Sequence, residues 1–352
     1  MVQPCFFDLS RRYEGLDAKN DPLVMLARVI PWELFRPKLL AALTAQDLRR
    51  PAAERRSAAG RKPWDEVLIF KALVVQALYN LSDEQTEYQL RDRLSFMRFL
   101  GLGLEDAVPD ATTLWLYREA LARAGAVEAL FGDFDFHLRE HGFLAMGGQI
   151  IDATIVAAPR QRNSRDDNDT IKRGETPADW NDQPAKQRQK DIEARWTKKH
   201  GRSYFGYKNH ISMDRRHKLV RRYSVTDAAR HDSVELEAVL DPANTCSKVW
   251  ADSAYRSAEI EANLAARGYK SCIHRRGARN HPLSARAQQG NATRSRVRAR
   301  VEHVFGHQAN SMGGKLVRTI GLVRAKMKIG MQNLVYNMSR FVHLQSVSAT
   351  QP

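Results

Sequence analysis

From Pro31 to about His141, apolar residues return every three or four positions, the spacing of helices that bury one face. Trp32, Phe35, Leu39 and Leu43 form the first such stripe, with Pro37 suited to the first turn of the helix proper. A second stripe runs through Val67, Phe70, Val74 and Leu78 behind Pro63. Ser82 and Gln85 read as a capping box for a third helix. Asp110 reads as the N-cap of a helix carrying Thr112, Thr113, Leu114, Tyr117, Arg118 and Leu121. Residues 1–30 carry no such stripe and read as an irregular arm.

The pattern changes at Gly147-Gly148. Gln149–Val156 reads as a buried strand, and Tyr204–Met213 with Leu219–Val225 as a hairpin turning at residues 214–217. A helix is expected over His231–Leu240. Lys248–Ala251 reads as an apolar strand ending in Asp252. A short helix, Ala258–Arg267, closes at Gly268 before a strand over Tyr269–His274. Two helices finish the chain, one over Arg294–His307 and one with the stripe Met327, Met331, Leu334, Val335, Met338, Phe341 and Val342. Residues 160–200 break the grammar: seven of these 41 residues are apolar, too few for a core of their own. This segment reads as an excursion, partly disordered or ordered only on a partner.

Composition sharpens the picture. The 352-residue chain has room for two domains at roughly 150 residues each. Its apolar fraction of 43% excludes a wholly disordered chain. The net charge of +16 favours a polyanion as partner. A membrane is the weaker choice, because the longest apolar stretch, Val67–Tyr79, is interrupted by Lys71 and Gln76 and is too short to span a bilayer. No secretory signal opens the chain, and three scattered cysteines suit a reducing, cytoplasmic setting. Residues 271–330 hold thirteen lysines and arginines, Arg279 and Lys315 among them, against the single acid Glu302. Such a field suits phosphate tracking by counterion release, although a solvated basic face is the plainer reading.

Three carboxylates stand out. Asp152 lies inside an apolar strand, where an unpaired charge is costly. Asp252 ends a second such strand, and ligands gather at strand ends in α/β sheets. Either alone could simply cap a turn. Glu302 is the isolated acid of the basic helix, with Arg298 one turn before it, and an ordinary surface pair is the plain alternative. Together they could hold two hard divalent cations, Mg²⁺ or Mn²⁺, to clamp an in-line phosphoryl displacement. Cys272, His274 and His281 fit no standard zinc spacing. No phosphate-binding loop or dinucleotide fingerprint is present.

These blocks together resemble the DDE transposases of the IS-five insertion-sequence family. The resemblance is carried by Ile150-Ile151-Asp152-Ala153-Thr154, Ala194–Lys199, Phe205-Gly206-Tyr207-Lys208-Asn209-His210, Trp250-Ala251-Asp252-Ser253-Ala254-Tyr255 and Arg298-x-x-x-Glu302-His303-Val304-Phe305-Gly306. Upstream, Lys71–Ser82, Phe96–Leu100 and Pro109–Thr113 resemble the family's N-terminal domain. The resemblance implies an α/β fold, an RNase H-like mixed sheet flanked by helices, preceded by an all-helical DNA-binding domain. The expected layout is an arm at 1–30, the helical domain at 31–145, the catalytic domain at 146–345 with a polar insertion at 160–200, and a tail at 346–352.

The resemblance also implies that Asp152, Asp252 and Glu302 are catalytic and hold two Mg²⁺ or Mn²⁺ ions. It implies binding of terminal inverted repeats, release of a 3′-hydroxyl at each end, and direct attack of those hydroxyls on target DNA. A dimer on DNA follows from two ends needing two sites. Arg298, Lys208 and Arg294 are candidates for phosphate contact, Trp196 and Tyr207 for stacking on a base, and Arg118 for a groove contact. Two positions depart from the family pattern: Ser295 stands where a tyrosine is favoured, and Ala309 where a lysine is usual. On a continuing helix, Lys315 would lie elsewhere. Two rival readings remain: a non-catalytic DNA-binding regulator or domesticated remnant, and an RNase H-like metal nuclease.

Overall fold

The computed structural model describes residues 8–19, 21–49, 62–199, 201–277 and 281–350, without the side chains of 8 and 348–350. Arg279 therefore lies outside the described residues, as does Cys5. The chain divides into two compact units, residues 1–134 with 334–352, and residues 135–333. No described helix is long and apolar enough to cross a membrane.

The first unit is helical. Its caps are those the sequence announces. The Asp65 carboxylate accepts the Leu68 N–H at 2.9 Å to start Glu66–Tyr79, and Asn80 ends that helix in the left-handed region. Ser82 and Gln85 form the reciprocal capping box of Asp83–Asp92. Asp110 accepts the Thr113 N–H at 2.6 Å at the head of Ala111–Arg123. Pro37 sits in the first turn of Arg36–Leu48, and Trp32–Phe35 before it is a 3₁₀ turn. The core is aromatic: Phe35 and Phe70 pack tilted with centroids 4.9 Å apart, and Trp32 meets Phe99 edge-on at 5.3 Å.

The arm expected over 1–30 is helical where described, as Asp8–Asp17 and Pro22–Val29. Buried Leu23 and Leu26 and the Asp21 N-cap supply the signal that was too short to register as a stripe. The last helix is also longer than expected, Leu322–Thr350. From Leu334 onward it belongs with the first unit, where Phe341 meets Phe134 edge-on at 6.0 Å.

The second unit is built on a mixed sheet with helices. Its strands are β1 (Gln149–Ala157), β2 (Arg195–Lys199), β3 (Arg202–Asp214), β4 (Val220–Asp227), β5 (Lys248–Trp250) and β6 (Lys270–Ser271). β3 pairs antiparallel with β1, β2 and β4, whereas β1, β5 and β6 are parallel neighbours. The resulting run β4–β3–β1–β5–β6 is the RNase H-like arrangement, with β2 added beside the first half of β3. Two glycines are forced by close approach. A Cβ on Gly148 would stand 2.4 Å from the Trp250 ring, and one on Gly206 2.3 Å from the Val156 carbonyl oxygen.

Four expectations are corrected. The 160–200 excursion is ordered, with helices at Arg165–Lys172 and Pro184–Arg188, and it buries Ile171 and Trp180 completely or nearly so. Ala194, at its end, joins the core around Val156, Phe205 and Tyr207. The His231–Leu240 helix is a 3₁₀ turn at Asp232–Glu235 followed by Leu236–Val239. The last strand spans only Lys270–Ser271. The helix expected over Arg294–His307 is Ala285–Arg298 and Glu302–Asn310, separated by a 3₁₀ turn at Ala299–Val301.

Candidate active site

β1 and β5 run parallel, with Gln149 opposite Val249 and Ile150 opposite Trp250. Continuing that register by two residues sets Asp152 level with Asp252. The two carboxylates interact through space, and both residues line a cavity of about 460 Å³. Glu302 lines the same cavity from the helical side, as do Arg298, Thr154, Gln308 and Ala309. Three acids separated by up to 150 sequence positions thus share one space.

Asp152 stands between the buried Ile151 and Ala153. Its Oδ1 accepts the Ala153 N–H at 2.9 Å, and its Oδ2 accepts from Arg298 Nη1 at 2.8 Å. Burial pushes its pKa up to about 6, and the Asp252 charge adds to that rise. Arg298, the Ala153 N–H and Lys199 pull the other way. Desolvation wins because the carboxyl sits within the sheet while only one cation touches it.

Asp252 follows the end of β5 and caps the 3₁₀ turn Ser253–Tyr255, its Oδ1 accepting the Ala254 N–H at 2.8 Å. The turn-capping role is therefore real, and it also fixes the carboxylate at the cavity wall. Glu302 is exposed and opens its helix directly after the 3₁₀ turn. The turn shifts Arg298 away from a simple one-turn pairing with Glu302: the guanidinium bonds Asp152 instead. A 3₁₀ interruption between helical stretches is the kind of local irregularity that marks functional positions. The Arg298 Nε is buried without a hydrogen-bond partner among the described residues.

Three carboxylates are an all-oxygen donor set, which suits a hard divalent cation. A buried carboxyl pushed towards neutrality, beside a second acid, is the electrostatic environment that a cation would relieve. By donor chemistry the residues fit Mg²⁺ or Mn²⁺. As they stand, no three His, Cys, Asp or Glu side chains among the described residues are close enough to form a ready cage, and Arg298 is the cation that Asp152 meets.

The other expected contacts are scattered. Arg298 is in the cavity. Arg294 is half-buried and donates to Asn291 Oδ1 at 3.3 Å. Trp196, on β2, is 43% exposed and lies beside Phe205. Tyr207 is wholly buried and donates to Asp191 Oδ2 at 2.6 Å, so it packs and does not offer a stacking face. Lys208 is nearly buried, its Nζ 2.6 Å from the Arg230 carbonyl oxygen and 2.8 Å from Asp232. Both lie on β3, between β1 and β4, and each polar end is taken by a partner within the protein. Arg118, in the helical unit, is held by Asp83 and Gln76, which leaves its guanidinium little exposed.

Lys199 and Lys315 also line the cavity, and sequence reasoning had assigned neither to it. Lys315 is not on a continuing helix. After Asn310 the chain folds back, the Gly314 N–H donating to the Gln308 carbonyl at 2.7 Å. The Gly313-Gly314 pair was the available signal, since a Cβ on Gly314 would stand 2.9 Å from that same carbonyl oxygen. Lys199 could have been found only by recognising β2 inside the polar excursion.

Two family models match the chain. Residues 11–120 match a transposase domain (DUF772), and residues 145–338, more than half of the chain, match the transposase DDE domain. This chain belongs to the DDE transposase family. The DDE match contains Asp152, Asp252 and Glu302 together with the whole sheet. Among solved structures, the transposase is similar to piggyBac transposase in a cryo-EM synaptic complex with hairpin DNA. That similarity has 13% identity, covers 94% of this chain and 77% of the other, and has a TM-score of 0.48.

Proposed function

We propose that this transposase binds the terminal inverted repeats of an insertion sequence of the IS-five type and catalyses DNA strand cleavage and strand transfer in the bacterial cytoplasm. The observation that carries the reading is the meeting of Asp152, Asp252 and Glu302 around one cavity that Arg298 also enters. Asp152, Asp252 and Glu302 are the groups that would hold Mg²⁺ or Mn²⁺, two ions per site. Bound there, a metal would supply Lewis-acid activation and charge neutralisation at the scissile phosphate.

The protein's own share is positioning. β1 and β5 hold two carboxylates in register, and the Ala254 N–H fixes the orientation of one of them. Arg298 keeps Asp152 charged against the pull of burial, and its guanidinium is placed to meet a phosphate oxygen if Asp152 turns to an ion. The basic surface of Ala285–Arg298, with Arg286, Arg294 and Arg296, extends the positive field along the duplex. Trp196 is exposed enough to stack on an unpaired base. The N-terminal helical unit contributes repeat recognition, and a homodimer serves the two ends.

The reading is tested with a duplex ending in the element's inverted repeat. Cleavage requiring Mg²⁺ or Mn²⁺, followed by joined products on a second duplex, supports a transposase. Cleavage without joining supports a metal nuclease, and binding without cleavage a regulator; either overturns the proposal.

A further inference from the structure

The cavity that gathers three acids also gathers two ammonium groups that those acids do not pair with. Lys199 ends β2, opposite Arg202 where β2 leads into β3. Lys315 lies in the return after Asn310, tied to the end of β1 because the Ala157 N–H donates to its carbonyl at 2.9 Å and the Val317 N–H donates to Ala157 at 2.9 Å. Neither lysine forms an ion pair among the described residues. Lys199 acts on Asp152 only through space.

Elsewhere in this unit several cations are held by acids. Arg221 bridges Asp135 and Asp214 at 2.8 and 2.9 Å, and Arg230 meets Glu235 at 3.0 Å. Lys199 and Lys315, by contrast with those held cations, are exposed and line a cavity with three acids, placed for a ligand that brings its own negative charge. A DNA backbone entering the cavity would be repelled by three carboxylates, and each ammonium can face one of its phosphates.

We propose that Lys199 and Lys315 form a two-point clamp for backbone phosphates flanking the scissile bond, one from the polar excursion and one from the return after the Glu302 helix. The clamp rests on the transposase reading and deepens it: the excursion then contributes to substrate positioning directly.

The test compares the full-length protein with Lys199→Ala/Lys315→Ala, with Lys199→Arg/Lys315→Arg, and with Lys248→Ala as a control for general surface charge. Affinity for a repeat-end duplex is measured from about 50 to 200 mM salt. Both ammonium groups are on exposed residues, so equal melting temperatures are the check on folding. The clamp predicts that the double alanine variant weakens binding about tenfold or more and flattens the log–log salt slope by about two. The double arginine variant should recover both, and Lys248→Ala should change the slope by less than the double alanine variant does. An unchanged slope in the double alanine variant overturns the clamp, as does an equal loss from Lys248→Ala. This readout needs no turnover. A wild-type protein that binds with the predicted lysine dependence but never cleaves would count against the transposase reading and leave the clamp standing.

Discussion

Arg298 Nη1 donates to Asp152 Oδ2 at 2.8 Å, joining residues 146 positions apart in the chain. The pair connects the middle of the sheet to the end of the basic helix, immediately before the 3₁₀ turn that precedes Glu302. It is also the main force opposing the upward shift of the Asp152 pKa. Arg298→Ala removes that opposition, so the Asp152 pKa should rise further above about 6. The acidic limb of the cleavage–pH profile should then move to higher pH, and Arg298→Lys should move it less. An unmoved limb in Arg298→Ala would separate Asp152 from the ionisation that controls the reaction.

Divalent metal should stabilise the protein. A ligand that binds only the folded state at a hundred times its dissociation constant contributes about 2.7 kcal/mol. Thermal unfolding of the wild type should shift upward on adding Mn²⁺ or Mg²⁺, and Asp152→Asn should lose most of the shift. An equal shift in both proteins would place the binding elsewhere.

His210, buried on β3, supplies a pH dependence away from the site. Its Nε2 lies 2.9 Å from Thr226 Oγ1, and its Nδ1 is buried without a partner among the described residues. Burial pulls its pKa down to about 4; the nearby Asp232 and Glu235 resist, and Lys208 and Arg230 add to the fall. The unfolded chain therefore binds the proton first as pH drops. Stability from this residue is fully present above about pH 6.5 and is lost on the way down to about 4, by roughly 3 kcal/mol in total. Denaturant midpoints between pH 7 and 4 should fall less steeply in His210→Gln. A parallel fall in the two proteins would contradict this assignment.

The excursion should behave as a small folded unit. Trp180 is fully buried, with Lys186 and Lys190 each 5.5 Å from its ring. Trp180→Ala should cost about 3–5 kcal/mol locally and open residues 160–194 to limited proteolysis. Cleavage there at the wild-type rate would mean that the tryptophan does not hold the segment.

What the sequence made legible follows from where its signals are local. Caps at Ser82 and Asp110 and the apolar run around Asp152 depend on neighbours in the chain, and they appear where expected. The order of the acids also carried the fold. Properties set by distant partners were hidden. Tyr207 looks like a stacking residue until Asp191 is seen taking its hydroxyl, and Arg118 looks available until Asp83 is seen holding it. The 3₁₀ turn at Ala299–Val301 has no proline or glycine to announce it, so a continuous helix was the natural reading of Arg294–His307. Lys315 was displaced from its apparent position by one turn at Gly313-Gly314.

Backbone approach gives a further check on the sheet. The Gly148 Cα lies so close to β5 that an added methyl group would overlap the Trp250 ring and the Lys248 carbonyl at 2.4 and 2.6 Å. Gly148→Ala should therefore destabilise the unit by about 2–4 kcal/mol, because β1 and β5 must separate or the backbone must strain. Since β1 carries Asp152 and Asp252 follows the end of β5, cleavage should fall with the melting temperature. A variant of wild-type stability would show that the strands are less closely apposed.

The most direct measurement is metal-dependent cleavage of a repeat-end duplex by Glu302→Gln beside the wild type, with duplex affinity measured in parallel. Glu302 is exposed, so the substitution should leave the fold intact. If Asp152, Asp252 and Glu302 act together, cleavage drops by on the order of a hundredfold or more while affinity stays near that of the wild type. Cleavage at the wild-type rate would contradict the shared carboxylate site.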